Sequence, residues 1–191
     1  TNTFSLLDPN RNGYDFLGWT GSDISIISKN VTINKGTIGE KSYTANWEPL
    51  LNSIVFNGNG NTSGNTNSMQ GYTDAHITLN ENKFERLGYS FKGWSETPNG
   101  AIKYLDGDSI IVPTESIYNL YAIWSPNLNS IDFYGNGADS GNMNTQYMYT
   151  DSTDNLNENQ YSKKGYHFIG WSNEKDLSLI HISEPTRRRG I

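Results

Sequence analysis

Hydrophobic and polar positions alternate most regularly in a seven-residue motif that the chain carries three times. Residues 88–94 read Gly-Tyr-Ser-Phe-Lys-Gly-Trp, and related stretches occupy residues 13–19 and 165–171. The Gly, Tyr, Phe, Gly and Trp places are the same in all three, whereas the third and fifth places vary. Such self-similarity within one chain is typical of a repeat architecture.

The alternation in residues 88–94 predicts a strand with one buried face. Alternate side chains of a strand point to opposite faces, which places Tyr89 and Phe91 together on the face that the three stretches share. Gly88 fits a turn into this strand because glycine tolerates a positive φ. Gly93 predicts a bulge or a close backbone approach that turns Trp94 toward the core.

Two further phrases recur and extend the strand prediction. Residues 43–47 and 120–124 both alternate and end in Trp, which predicts a closing strand. Residues 52–60 and 129–137 share the pattern Asn-Ser-Ile-x-Phe-x-Gly-Asn-Gly at an offset of 77 residues. An alternating run followed by Asn-Gly is a strong hairpin signal. Residues 81–86 are the one place where a helical turn is predicted.

These phrases divide the chain into three predicted copies of one unit. Copy one covers residues 1–48, copy two residues 49–125 and copy three residues 126–176, and only copy two holds every phrase. We therefore expect copy one to be truncated on its N-terminal side and copy three on its C-terminal side. The predicted fold is mainly β, or α+β, with small repeats of about 77 residues arranged like beads on a string.

Large apolar residues at the repeated places are predicted to form the core of each copy, because aromatic side chains dominate small cores. This set consists of Tyr14, Phe16, Trp19, Trp47, Phe56, Tyr89, Phe91, Trp94, Leu120, Ala122, Trp124, Phe133, Tyr166, Phe168 and Trp171. Aromatic rings outside the motif can instead stack on a ligand at the surface. The candidate surface contacts are Tyr72, Tyr104, Tyr118 and Tyr149.

Composition and charge narrow the classes of function. The 191 residues include 14 basic and 20 acidic side chains, and the formal net charge of −6 argues against nucleic acid and anionic membranes as partners. The chain has no cysteine, which excludes disulfides, thiolate metal sites and cysteine nucleophiles. No run approaches the roughly 18 apolar residues of a membrane-spanning helix, so no such segment is expected.

Sequence motifs for catalysis or for a bound cofactor do not emerge. Asp106 and Asp108 flank one glycine, but a calcium loop needs about six or more oxygen ligands, so a turn is the preferred interpretation. The three histidines do not cluster, and neither a nucleophile elbow nor a zinc-binding helix pattern occurs. We expect no metal, no cofactor and no enzymatic activity.

The last residues depart from the repeat. Residues 177–191 begin with Leu-Ser-Leu-Ile-His-Ile-Ser-Glu-Pro-Thr-Arg and resemble the in-frame translation of a transposase adapter used in preparing sequencing libraries. We interpret this segment as an artefact tail, the alternative being a basic, disordered C-terminus.

The chain up to residue 176 resembles the Listeria–Bacteroides repeat family of bacterial surface proteins, also described as the internalin B-type B repeat. The resemblance rests on the Asn-Gly opening phrase, on Leu79 with Asn82 and Phe84, on the seven-residue motif and on the closing phrase. It implies a small β-grasp-like unit strung in tandem, together with export and display at the cell surface. It carries over no catalytic residues.

The sequence leaves three functions open. The first is a non-catalytic stalk or spacer of a bacterial cell-surface or secreted protein, which contributes to adhesion and contacts neighbouring repeats of the same chain. The second is a module that binds a glycan or a host protein through exposed tyrosines in several copies. The third is an accessory segment of an exported enzyme. The residues do not identify the protein or glycan partner.

Overall fold

The computed structural model describes residues 2–174, and these residues form strands but no helix. The prediction of a mainly β fold is confirmed, whereas the helix that an α+β class requires is not found within this range. The chain divides into a first body, Thr1–Asn127, and a second body, Leu128–Ile191. Copies one and two both lie in the first body. The adapter-like segment lies outside the described residues.

The strands are short and are numbered in chain order. Those of the first body are β1 Phe4–Ser5, β2 Tyr14–Gly21, β3 Ile24–Ser28, β4 Thr32–Ile33, β5 Tyr43–Pro49, β6 Leu51–Asn57, β7 Ser63–Gly64, β8 Met69–Tyr72, β9 His76–Thr78, β10 Phe84–Glu85, β11 Tyr89–Ser95, β12 Ser109–Ile111 and β13 Ile117–Pro126. Those of the second body are β14 Leu128–Ile131 and β15 Gln146–Tyr149.

Two main sheets make up the first body. Copy one supplies three antiparallel strands in the order β3-β2-β5. Copy two supplies four strands in the order β11-β13-β6-β8. The outer pairs of this larger sheet are antiparallel, but its central pair of β13 and β6 is parallel, so the chain needs a long connection between them. Three short ladders, β1-β4, β10-β7 and β12-β9, complete the first body.

The bulge predicted in the seven-residue motif is present. The register between β11 and β13 shifts between Phe91 and Gly93, and Gly93 has a φ of 151°. The extra residue reorients the strand, and the Trp94 side chain is 0% exposed. The turn predicted at Gly88 is also confirmed by its φ of 77°. In β2 the register against β5 shifts at the equivalent place.

The core of copy two lies against the larger sheet and forms around Trp94. β6 and β13 alternate in burial, so that their inward side chains meet Trp94 and the neighbouring rings. The buried cluster consists of Ile54, Phe56, Leu79, Phe84, Trp94, Ile110, Val112, Tyr118, Leu120 and Ala122. Phe91 and Trp124, two of the predicted core residues, pack against it while partly buried. Tyr89 is half-buried.

The helical turn predicted for residues 81–86 is wrong, because this stretch is extended and contains β10. The Asn82 side chain explains the difference: its Oδ1 accepts a hydrogen bond from the Phe84 N–H at 3.0 Å, and its Nδ2 donates to the Phe84 carbonyl at 3.1 Å. A side chain that hydrogen-bonds both the N–H and the carbonyl of the residue two positions later competes with helical hydrogen bonding. The extended backbone lets Phe84 enter the core.

Core formation is less complete in the other copies. Tyr14, Phe16, Trp19 and Trp47 are half-buried, with the Phe16 ring centroid 5.4 Å from that of each tryptophan. In the second body Phe133 is buried and Trp171 is half-buried. The prediction that Tyr166 and Phe168 are core residues is wrong, because both are exposed. Residues 165–171 form no strand, and the described residues hold no counterpart of β13 to cover them.

Candidate functional site

The structural feature most relevant to function is the place where copy one meets copy two inside the first body. We call it the joint, and it comprises Arg11, Gly13, Tyr14, Leu50, Asn52, Thr73 and Asp74. The sequence predicts a short linker containing proline here. In the structure Pro49 ends β5 and β6 begins at Leu51, so Leu50 alone connects the two sheets. So short a connection leaves the backbone little freedom.

Backbone hydrogen bonds fix Leu50 on both of its sides. Its N–H donates to the Gly13 carbonyl of copy one at 2.9 Å. Its carbonyl accepts the Thr73 N–H of copy two at 2.9 Å, and the Thr73 hydroxyl at 3.3 Å. The connecting residue is therefore hydrogen-bonded to both copies at once.

The turn that opens the motif in copy one lies directly against copy two. Gly13 has a φ of 76°, and a Cβ placed on it would lie 2.8 Å from the Thr73 side chain and 3.1 Å from the Thr114 Cβ. Real Cβ atoms essentially never come within 3.0 Å of another heavy atom. Glycine is thus required at this position both by the backbone conformation and by the close approach of the neighbouring copy.

A polar contact crosses the joint next to this turn. The Tyr14 hydroxyl donates a hydrogen bond to Asp74 Oδ2 at 2.6 Å. The Arg11 guanidinium lies 3.6 Å from the centre of the Tyr14 ring and 3.7 Å from Asp74 Oδ2. The hydrogen bond to the carboxylate raises the pKa of the Tyr14 hydroxyl, because it stabilises the protonated phenol.

Asn52 supports the joint from within copy two. Its side chain is 1% exposed, and its Nδ2 donates to Thr73 Oγ1 at 2.9 Å and to the Pro113 carbonyl at 2.8 Å. A buried amide with both of these partners in place fixes the loop that carries Thr73 and Asp74. What the geometry of the joint can do is hold one copy at a defined angle to the next.

The four tyrosines proposed as surface contacts differ in exposure. Tyr72 and Tyr149 are well exposed, at 55% and 56%, and lie in different bodies. Tyr104 is half-buried. Tyr118 is only 9% exposed and belongs to the core of copy two, so its ring offers no face to a surface ligand. β-Strand alternation is the reason, because Tyr118 shares the inward face of β13 with Leu120.

The hydroxyl of Tyr118 instead enters a polar cluster at the edge of the core. It donates to Glu96 Oε1 at 2.5 Å, which also accepts from Lys103 Nζ at 2.6 Å, and the Tyr104 hydroxyl lies 3.1 Å away. Burial first, and then the hydrogen bond to Glu96, raises the pKa of Tyr118. The hydrogen bonds from Lys103 and Tyr118 lower the pKa of the Glu96 carboxyl. These contacts are satisfied internally and indicate a structural role.

Metal binding finds no support in the described part of the chain, which holds no group of three or more histidine or acidic side chains placed to share an ion. The predicted turn is present at residues 106–107; the Asp108 side chain closes it, whereas the Asp106 side chain binds a backbone group distant in the sequence. Asp106 Oδ1 accepts the Asn82 N–H at 2.7 Å, and Asp108 Oδ2 accepts the Leu105 N–H at 2.6 Å. Within residues 2–174 there is likewise no helix of the length and apolarity needed to cross a membrane.

Sequence reasoning assigned Tyr14 to the core and missed its partners Arg11 and Asp74. The signal that could have found them is recurrence. Arg11 and Tyr14 correspond in the sequence to Arg86 and Tyr89, and Arg86 also stacks on its tyrosine, 3.9 Å from the ring centre. An arginine that recurs three residues before the motif tyrosine was therefore the signal for the stacking of Arg11 on Tyr14.

Comparison with known proteins agrees with the internal repeat. The sequence model of the Listeria-Bacteroides repeat domain matches residues 53–123 and again residues 130–186, which together are well over half of the chain. The second matched range extends into the adapter-like segment.

Two curated relatives come from Evansella cellulosilytica. One, named "Putative Gly-rich membrane protein", is 31% identical over 108 residues, which are 53% of this chain and 12% of that protein. The other, named "Putative membrane protein", is 26% identical over 173 residues, which are 89% of this chain and 25% of that protein. The chain therefore spans a quarter or less of the length of these relatives. No solved structure matches it significantly.

Proposed function

Because the chain belongs to the Listeria–Bacteroides repeat family, we propose that it is a non-catalytic stalk or spacer segment of a bacterial cell-surface or secreted protein. Its working parts would be small repeats of about 77 residues, of the internalin B type, joined in tandem. The two relatives with membrane-protein names support an association with the cell envelope. An extracellular location and a contribution to adhesion belong to this proposal.

The joint is the observation that carries the proposal. A spacer projects what it carries only if successive units resist bending relative to one another. Here Leu50 alone connects the two sheets, and it is hydrogen-bonded to both copies. The Tyr14–Asp74 hydrogen bond adds a side-chain contact beside that connection, between the residues that follow Gly13 and Thr73.

The sheet of copy two supports a β-grasp-like unit. Its order, β11-β13-β6-β8, places one antiparallel pair, β11-β13 or β6-β8, on each side of the central parallel pair of β13 and β6. This arrangement fits the unit that the family resemblance implies, with short ladders in place of a helix in the described residues.

Distance measurements between spin labels test the spacer role directly. The chain has no cysteine, so Ile38→Cys in copy one and Leu105→Cys in copy two, both exposed positions, give two unique labels. Pulsed electron spin resonance should show one narrow distance distribution. Gly13→Val should broaden it, because the side chain cannot fit against Thr73. Asp74→Ala should broaden it as well, through loss of the Tyr14 contact.

Glu81→Ala is the matched control, since it removes an exposed acid of copy two that lies outside the joint. It should leave the distribution unchanged. A broad distribution in the unmodified joint would show that the copies move freely, and the spacer proposal would then fail.

A ligand-binding module is the second candidate, favoured by a recurring exposed pair. Tyr72 lies opposite Leu51 in the ladder of β8 with β6, and Tyr149 lies opposite Leu128 in the ladder of β15 with β14. All four side chains are exposed. Repeated weak sites of this kind would bind a glycan or a host protein by avidity. Glycan-array binding that disappears with Tyr72→Ala and Tyr149→Ala together would favour this function over the spacer.

A further inference from the structure

Asparagine followed by glycine is a chemically reactive pair as well as a turn signal. The main-chain nitrogen of the glycine can attack the side-chain carbonyl carbon of the asparagine, because the attack closes a five-membered ring and glycine has no side chain to block the approach. The first body contains four such pairs, at residues 12–13, 57–58, 59–60 and 99–100. They differ in whether the amide and the nitrogen are free to meet.

Hydrogen bonds hold one of the two reacting groups in the pairs at residues 59–60 and 99–100. Asn59 Nδ2 donates to the Pro98 carbonyl at 2.7 Å and to the Ala122 carbonyl at 2.9 Å, which fixes the side-chain amide. The Gly100 N–H donates to the Thr97 carbonyl at 3.1 Å, so the attacking nitrogen is engaged. Reaction at either pair has to break these hydrogen bonds first.

The pair at residues 57–58 is held by its main chain. Asn57 ends β6 and lies opposite Tyr121 in the parallel ladder with β13. Gly58 is buried, and its carbonyl accepts the Trp124 Nε1–H at 2.9 Å. A backbone that is fixed on both sides of the reacting bond cannot rotate to close the ring without losing these contacts.

The remaining pair, Asn12 and Gly13, lies in the turn that opens the motif of copy one. The Tyr14 N–H closes this turn by donating to the Arg11 carbonyl at 3.2 Å. The Asn12 side chain is exposed, and among the described residues neither its amide nor the Gly13 N–H has a hydrogen-bond partner. Both reacting groups are therefore available.

The exposure of this position belongs to the turn itself, because copy two shows the same turn. There the Tyr89 N–H donates to the Arg86 carbonyl at 3.0 Å, and Gly88 has a φ of 77°, against 76° for Gly13. The residue in the place of Asn12 is Leu87, which is 84% exposed. Copy three has lysine in this place, so copy one alone combines the exposed turn with asparagine.

We propose that Asn12 is a site of spontaneous deamidation that loosens the joint as the protein ages. The Gly13 nitrogen gives its proton to solvent base and bonds to Asn12 Cγ, while the Cγ–Nδ2 bond breaks and ammonia leaves with a proton from water. Water then opens the resulting succinimide to aspartate or isoaspartate. The sum is exchange of ammonia for water, without oxidation or reduction. In isoaspartate the main chain runs through the former side chain and gains one methylene group.

The joint has little room for a lengthened main chain at this point. The Gly13 carbonyl accepts the Leu50 N–H at 2.9 Å. A Cβ on Gly13 would lie 2.8 Å from the Thr73 side chain, so the two copies are already in close contact there. An added methylene directly before Gly13 therefore displaces the residue that holds the connection between the sheets.

Incubation of the whole chain in ¹⁸O-labelled water at mildly alkaline pH tests the reactivity. Peptide mass spectrometry should find ¹⁸O at residue 12 at least about tenfold sooner than at residues 57, 59 and 99, because only the latter must give up native contacts. In concentrated urea most of this difference should disappear, since the four pairs consist of the same two residues. Equal rates in the folded chain, or an unchanged preference in urea, would overturn the proposal.

The effect on the joint is read from the spin labels at Ile38→Cys and Leu105→Cys. Incubation should broaden the distance distribution of the otherwise unmodified chain and leave it narrow in Asn12→Leu, which gives the turn the residue found in copy two. Equal broadening in both proteins, or broadening in neither, would refute the loosening. The spacer function is judged on the freshly prepared chain, and the isotope measurement does not depend on it, so failure of one is distinguishable from failure of the other.

Discussion

The bulge glycine of copy two offers a sharp test of how the motif creates its core. Gly93→Ala adds one methyl group at a φ of 151°, a conformation that side-chain-bearing residues rarely adopt. That methyl would lie 2.6 Å from the Ile102 Cγ2 and 2.6 Å from the Tyr104 carbonyl oxygen. The same carbonyl accepts the Trp94 N–H at 2.8 Å, so moving it weakens the pairing that holds the buried tryptophan.

The expected loss of stability combines these effects. Backbone strain in this region contributes about 1–3 kcal/mol. Overpacking by the added methyl group costs about 1–3 kcal/mol more. The weakened hydrogen bond costs about 1 kcal/mol. We therefore expect Gly93→Ala to lower the free energy of unfolding of the first body by about 3–7 kcal/mol. Small domains have about 5–15 kcal/mol in all, so the variant should fold but unfold at much lower urea.

Gly170→Ala separates strain from steric clash. Its φ of 156° is nearly that of Gly93, but no atom lies within 4 Å of its added Cβ. It should cost the second body only the strain, about 1–3 kcal/mol. Urea unfolding followed by ¹⁵N-resolved signals reports each body separately. If Gly93→Ala cost its body no more than Gly170→Ala costs the other, the close approach of Tyr104 would have no energetic weight and the reasoning would be refuted.

Two further predictions concern polar groups of the first body. Asn52→Ala should lower the free energy of unfolding of the first body by about 2–3 kcal/mol, because its hydrogen bonds to Thr73 and to the Pro113 carbonyl are lost. The control Asn80→Ala removes an exposed hydrogen bond to the Asn67 carbonyl and should cost about 0.5 kcal/mol or less. Equal costs for the two variants would contradict this assignment. Tyr118 has a raised pKa, so the folded state favours its protonated form, and this contribution is complete below the ordinary tyrosine pKa of about 10 and declines as the pH rises above it. Between about pH 9 and 11 the urea midpoint of the first body should therefore fall more steeply with pH in the unmodified chain than in Tyr118→Phe. Equal pH dependence in the two proteins would show that folding does not favour the protonated form of Tyr118.

The sequence by itself was sufficient for features that depend on neighbouring residues. The two-residue alternation identified the inward face of β6 and β11, and glycine chemistry located the turn at Gly88 and the bulge at Gly93. These predictions succeeded because side-chain alternation and φ preference are properties of a few consecutive residues. The recurrence of the phrases was likewise enough to identify the family.

Features that join distant residues were decided by the tertiary structure. The Tyr14–Asp74 contact spans 60 positions, and nothing in the local pattern of either residue indicates it. Tyr118 was expected at the surface because it lies outside the motif, but its place on the inward face of β13 buries it. Residues 81–86 were expected to turn as a helix until the Asn82 side chain fixed them as extended.

The seven-residue motif separates what the local sequence determines from what the tertiary structure determines. All three stretches have the same spacing of Gly, Tyr, Phe, Gly and Trp, and all three bulge glycines have φ between 138° and 156°. Residues 13–19 and 88–94 contribute to strands paired with β5 and β13, whereas residues 165–171 form no strand. The local sequence determines backbone conformation and ring geometry, but a strand also needs a partner that satisfies its hydrogen bonds and covers its face, and only the tertiary structure supplies that partner.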